Sequence, residues 1–272
     1  REISAEFPGF ATRKLTQHLG GNVVTMFGQA FAGNINGDPL RGGIAAAEHA
    51  GEVLAEAAFQ ALSNSEPLST DKLKVTSLSW SIPLQPLPPR GDCLRLIKEA
   101  EDRLVEDYGR LDFTDEQLWD MQDEAEIAKS QTESSIVDDV QPMGGKPWWT
   151  VDTILCLRDL LSKIDKQDEC PLRFDAQLIR LGDQWSLLAT THEVFAEYQL
   201  LLDKLAPAKH NMMFAYTNGC ESYIPMDKDL SLGGYEASTF PEDGAALRYR
   251  HRRAVRPGFE QNLIERLRSL WS

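Results

Sequence analysis

The chain has 272 residues, 42% of them hydrophobic and 26% charged, the composition of a globular protein with a sizeable core arranged as one large domain or two small ones. Its net charge of −14 excludes the broad basic field that phosphate backbones need, which argues against a nucleic-acid partner. It holds no apolar run of about eighteen residues, the length a membrane-spanning helix requires.

The opening residues, REISAEFPGF, are neither an initiator Met nor a signal peptide, so the chain reads as trimmed or cut from something longer. A short helix is expected from Phe10 to His18, after the Pro8-Gly9 turn. Asn22 to Phe31 is β-rich and apolar, the pattern of a buried strand. A turn-rich run follows from Ala32 to Pro39, and then an Ala- and Glu-rich helix from Gly43 to Leu62. Leu73 to Leu84 alternates in the manner of a strand, and Pro83, Pro86, Pro88 and Pro89 close it as an edge strand entering a rigid loop.

Residues from Cys93 to about Ala128 read as helical, Ser130 to Pro147 as a polar connection, and Trp148 and Trp149 lead into a helix ending near Ile164. Residues 93–165 form a helical elaboration on a domain covering 1–272. Between Glu99 and Val140 fifteen Asp or Glu face Arg103, Arg110 and Lys129 alone, a block that reads as a solvated acidic face. Phe174 to Leu181 and Trp185 to Ala189 make a hairpin around Gly182-Asp183. A helix follows from Glu193 to Leu205, then a strand from His210 to Tyr216 and a closing amphipathic helix from Phe259 to Trp271. The fold class is α/β: a mixed β-sheet layered with helices, with an acidic helical insertion in the middle third.

Four cysteines are scattered without a CxxC pair, so a zinc finger is not indicated, and Cys156 and Cys170 are left open as free thiols or a bridge. The basic cluster Arg248, Arg250, Arg252, Arg253 and Arg256 suits acidic side chains, an anionic headgroup at a membrane surface, or plain solvation. Chemistry concentrates in the stretch from Phe214 to Thr239. There Tyr223 and Tyr235 sit twelve positions apart among turn formers, with Gly233 and Gly234 just before the second. Upstream, Glu193 stands at a strand–helix junction, either as an N-terminal capping acid or as a functional carboxylate. The two tyrosines either pack with exposed hydroxyls or join Glu193 in one site.

The ordered pieces Leu181-Gly182-Asp183, His192-Glu193-Val194-Phe195, Tyr216-Thr217-Asn218-Gly219, Tyr223-Ile224-Pro225 and Gly234-Tyr235-Glu236-Ala237-Ser238-Thr239 resemble the later part of the catalytic domain of the neutral/alkaline (non-lysosomal) ceramidase family. Phe7-Pro8-Gly9-Phe10-Ala11 and Ala32-Gly33-Asn34-Ile35-Asn36 are similar to segments around that family's nucleophile-bearing loop. The resemblance implies a zinc amidohydrolase that cleaves the N-acyl bond of ceramide or a related N-acyl substrate, in a secreted or periplasmic setting with peripheral membrane contact. It makes Glu193 and Tyr223 zinc ligands and Tyr235 a hydroxyl supporting the reacting amide. Gly33 and Asn34 would line the substrate side, and Asn36 would take the loop-serine position as a catalytic hydrogen-bond donor or a turn former. Two further zinc histidines are expected in segments preceding Arg1, and Thr191-His192 replaces the family's Pro-Gly before the glutamate. The alternative is an inactive ceramidase-like protein that binds a lipid or glycan or scaffolds a partner.

Overall fold

The computed structural model describes residues 3–38, 42–68, 70, 72–114, 117, 147–238 and 249–272. A four-stranded mixed sheet lies at its centre, in the order β1 (Leu73–Ile82), β2 (Leu172–Leu181), β3 (Trp185–Thr190), β5 (His210–Phe214). The first three strands are antiparallel and β3 pairs parallel with β5. Alternation decides which face is buried. Leu172, Phe174, Ala176 and Leu178 of β2 point into the core, together with Leu188 of β3. Against that face pack α5 (Ala196–Leu205), through Tyr198 and Leu202, and the closing helix α7 (Glu260–Ser269), through Leu263 and Leu267. Trp271 seals the end of α7, its indole N–H donating to the buried Ser186 hydroxyl at 3.3 Å.

The edge strand β1 stops at Ile82 because Pro83 cannot continue the ladder. The chain after it is met by residues 253–256, through Gln85 N to Ala254 O, Arg256 N to Pro83 O and a Leu84–Val255 bridge. Two of the clustered arginines take acidic partners here. Arg252 bonds Asp159, and the fully buried Arg253 reaches Gln85 O and the Glu169 carboxylate. Arg248 lies outside the described residues.

Helices α3 (Arg90–Tyr108) and α4 (Pro147–Lys166) pack on each other around Leu96, Ile97, Leu104, Leu157 and Leu160, a core separate from that of the sheet. Gly109 ends α3 in the left-handed region, well short of Ala128. Helix α1 (Glu6–His18) starts ahead of the Pro8-Gly9 pair, which its first turn absorbs, and lies along α2 (Gly43–Leu62). Cys93, Cys156, Cys170 and Cys220 are all free thiols, so Cys156 and Cys170 are not bridged.

The stretch Asn22 to Phe31 is not a strand. It forms no regular element and passes beside the end of β5, and Val24 and Met26 are 86% and 89% exposed. Its attachments are local and come mostly from side chains. Thr25 donates to Thr12 O in α1, Gln29 O accepts from Ala215 N, and Gly28 lies flat on the Phe214 ring, where a side chain would not fit. Apolar β-branched composition favours an extended backbone, but a strand also needs a partner ladder.

Candidate functional site

Beyond β3 the chain turns sharply at His192, whose φ of 71° is unusual for a non-glycine residue. The imidazole holds this turn. Nε2 lies 2.8 Å from Arg173 O as donor, and Nδ1 accepts from Glu221 N at 3.0 Å, which fixes the neutral tautomer. Burial also pushes its pKa below the ordinary value. His192 is therefore a brace for the backbone.

Glu193 follows on the two-residue strand β4 (Glu193–Val194), which pairs parallel with β6 (Tyr223–Ile224) and sets Glu193 beside Tyr223 in register. This corrects the expectation that Glu193 opens a helix. Helix α5 begins three residues later, and the first-turn acid is Glu197. Its first amide is capped from across the chain by Asn34, whose Oδ1 accepts from Ala196 N at 2.9 Å while Nδ2 donates to Glu197 at 2.8 Å. Gly33 N donates to Val194 O at 2.9 Å, and a Cβ on Gly33 would sit 2.4 Å from Glu193 O. The loop carrying Gly33 and Asn34 is thus docked on the strand that presents Glu193. Asn36, two residues beyond Asn34, is exposed, and among the described residues no hydrogen bond ties it to Glu193 or the tyrosines.

Around the Glu193 carboxylate the structure gathers phenols. Tyr216 donates to Oε2 at 3.3 Å, and Tyr249 donates to Oε1. Tyr223 stands between Tyr235 and Tyr249, its ring centroid 6.0 and 6.1 Å from theirs, both edge-on. Burial, then the Glu193 charge, raises the pKa of Tyr223 and Tyr216 well above that of a free phenol, and burial with the Glu193 hydrogen bond does the same for Tyr249. All three are neutral donors at physiological pH. The Cys220 thiol, 3.8 Å from Oε1, is pushed up to about 11 by burial and by the same carboxylate.

Tyr235 is 41% exposed and rides a turn in which Gly233 and Gly234 adopt φ of 74° and 96° and Ala237 and Ser238 N–H groups return to Gly234 O. Thr239 lies outside the described residues. The structure therefore brings Glu193, Tyr223 and Tyr235 together and places Gly33 and Asn34 behind Glu193. Tyr216, Cys220 and Tyr249 were not singled out from the sequence. The first two stand inside the Tyr216–Gly219 and Tyr223 motif region, whereas Tyr249 is hidden in the run Arg248-Tyr249-Arg250, with no local signal of a role.

Among the described residues no group of three or more His, Cys, Asp or Glu could hold a metal ion. Near Glu193 the donors are a carboxylate with the Tyr223 phenol beside it in register, oxygen groups that could each contribute to holding a cation.

A mixed four-stranded sheet covered by helices, with Glu193 and Tyr223 on short paired strands beyond the sheet, is an α/β architecture. The chain shares its fold with part of the neutral ceramidase from Pseudomonas aeruginosa, to which it is similar at a TM-score of 0.51 and 16% sequence identity over 98% of this chain. It spans 40% of that protein's chain. No family model matches the sequence, and no curated protein does.

Proposed function

We propose that this chain is part of a zinc-dependent amidohydrolase of the neutral ceramidase type, acting on the N-acyl amide of ceramide or a related N-acyl lipid. The observation that carries the reading is the pairing of Glu193 with Tyr223 in β4–β6, with Tyr235 6.0 Å from Tyr223, inside a fold like that of a neutral ceramidase. Glu193 and Tyr223 would hold zinc, together with two histidines that the resemblance places ahead of Arg1. Bound there, zinc would acidify a water and polarise the amide carbonyl.

The chain's own residues have definable tasks in this reading. Glu193 supplies the anionic ligand, oriented by β4 and by the docked Gly33–Asn34 loop. Tyr235, exposed at the rim, offers a hydroxyl to the oxygen that gains charge as the amide is attacked, an effect of about 3 kcal/mol for a well-aimed donor. Asn36 in the exposed loop would in this reading offer its side-chain amide to the same oxygen.

The test is hydrolysis of a panel of N-acyl substrates by the full-length protein, with and without a chelator. Chelator-sensitive release of fatty acid from ceramide or a close analogue is expected. Binding of lipid or glycan without turnover would instead favour the inactive alternative.

A further inference from the structure

Two hydroxyls grip Glu193 that the metal-and-substrate reading does not use, and they come from two separate segments, 23 and 56 positions further along the chain. Tyr216 leaves the end of β5 in the left-handed region, φ 55°, a conformation that costs on the order of 1 kcal/mol for a non-glycine residue. Its backbone is pinned in that state, since Tyr216 N donates to His192 O and Thr217 N to Thr190 O. The result is a phenol aimed at Glu193 Oε2. Tyr249 comes from the segment leading to α7 and takes Oε1. Its ring stacks on His251, which is 1% exposed, with centroids 6.2 Å apart. His251 is in turn held by Arg253 N, and Arg253 is anchored to Gln85 O and Glu169.

A carboxylate offers about four lone-pair directions. One phenol on each oxygen uses two of them and restrains the rotation of the carboxylate plane, while Tyr223 and the more distant Cys220 thiol stand on the side where the zinc reading puts the metal. Packing alone does not ask for this, because phenylalanine would fill the same ring volumes.

We infer that Tyr216 and Tyr249 are positioning residues that orient the Glu193 carboxylate for a divalent cation; this rests on the zinc reading above. Outer-shell hydrogen bonds of this kind typically carry 10- to 100-fold in metal affinity. Tyr216 holds Oε2 and Tyr249 holds Oε1, with the Cys220 thiol a longer contact on Oε1, so removing either phenol loosens one end of the carboxylate.

The experiment is zinc affinity of the full-length protein, measured by competition with a chromogenic chelator, for wild type, Tyr216→Phe, Tyr249→Phe and Tyr198→Phe. Tyr198 is the control, a buried phenol that donates to Pro225 O at 3.1 Å away from Glu193. Each positioning variant is expected to bind zinc about 10- to 100-fold more weakly, with hydrolysis recovered by excess zinc, and to lose stability to a degree like that of Tyr198→Phe. Tyr198→Phe is expected to lose stability but not zinc affinity. Wild-type zinc affinity in both Tyr216→Phe and Tyr249→Phe, or a loss of activity that zinc does not rescue, overturns the inference and leaves the zinc reading standing. A wild-type protein that binds no zinc overturns both.

Discussion

Gly33→Ala is the most local perturbation of the site that the geometry allows, since it adds one methyl group behind Glu193. That methyl would lie 2.4 Å from Glu193 O, 2.9 Å from the carbonyl carbon and 3.1 Å from the Phe195 ring. Two of these neighbours are backbone, so relief requires the loop or β4 to move by roughly 1 Å toward ordinary contact distances. Overpacking of this kind costs about 1–3 kcal/mol, and losing the Gly33 N–Val194 O hydrogen bond adds about 1 kcal/mol. A loss of about 2–4 kcal/mol lowers Tm by roughly 4–16 °C in a chain of this size. Denaturant unfolding of Gly33→Ala against Gly37→Ala measures it, because a Cβ at Gly37 meets nothing within 4 Å. The control should stay within about 0.5 kcal/mol of wild type. Equal stability of the two variants would refute the docking of this loop on the Glu193 strand.

Three further outcomes follow from the same geometry. Asn34→Ala removes the cap on α5 and should cost about 1 kcal/mol, read as a lower urea midpoint with unchanged slope; an unchanged midpoint contradicts the cap. Tyr235→Phe should lower kcat by about 10²-fold while zinc content stays at the wild-type level, whereas a loss of zinc would make Tyr235 a ligand. His251 is buried and its pKa is pushed down to about 4, chiefly by that burial, with His192 and Arg253 adding repulsion. The unfolded chain, with its histidine near 6.5, then takes up the proton first. Its contribution is complete above about pH 6.5 and is lost as pH falls toward 4, by about 2 kcal/mol at pH 5. Urea unfolding at pH 7.5 and pH 5 should show that loss, and His251→Gln should remove most of it.

Periodicity was a reliable guide wherever an element carries its own pattern. Leu172, Phe174, Ala176 and Leu178 alternate on β2, and Leu263 and Leu267 mark the buried face of α7. The pattern misled where the partner mattered more than the residue. Asn22 to Phe31 has strand composition but meets α1 and the end of β5 through isolated contacts, so it does not join the sheet. Glu193 looked like a helix opener because an amphipathic run follows it, yet the pairing of Glu193 with Tyr223 spans thirty positions and leaves no local trace.

The candidate site was legible in proportion to chain distance. Tyr223 and Tyr235 lie in one turn-rich stretch and could be singled out together, and the order of short motifs tied them to Glu193. Tyr249 could not be found this way, because its role depends on His251 and Arg253 carrying it back to a carboxylate 56 positions earlier. Gly33 and Asn34 were expected on the substrate side only through the family resemblance, whereas their visible contacts are to Val194, Ala196 and Glu197, the strand and helix that flank the site.

The account turns on whether Glu193 is a metal ligand. Metal analysis of the full-length protein, wild type against Glu193→Ala, tests this most directly. One zinc per chain in the wild type and its loss in the variant is the predicted result; equal zinc in both would contradict the account.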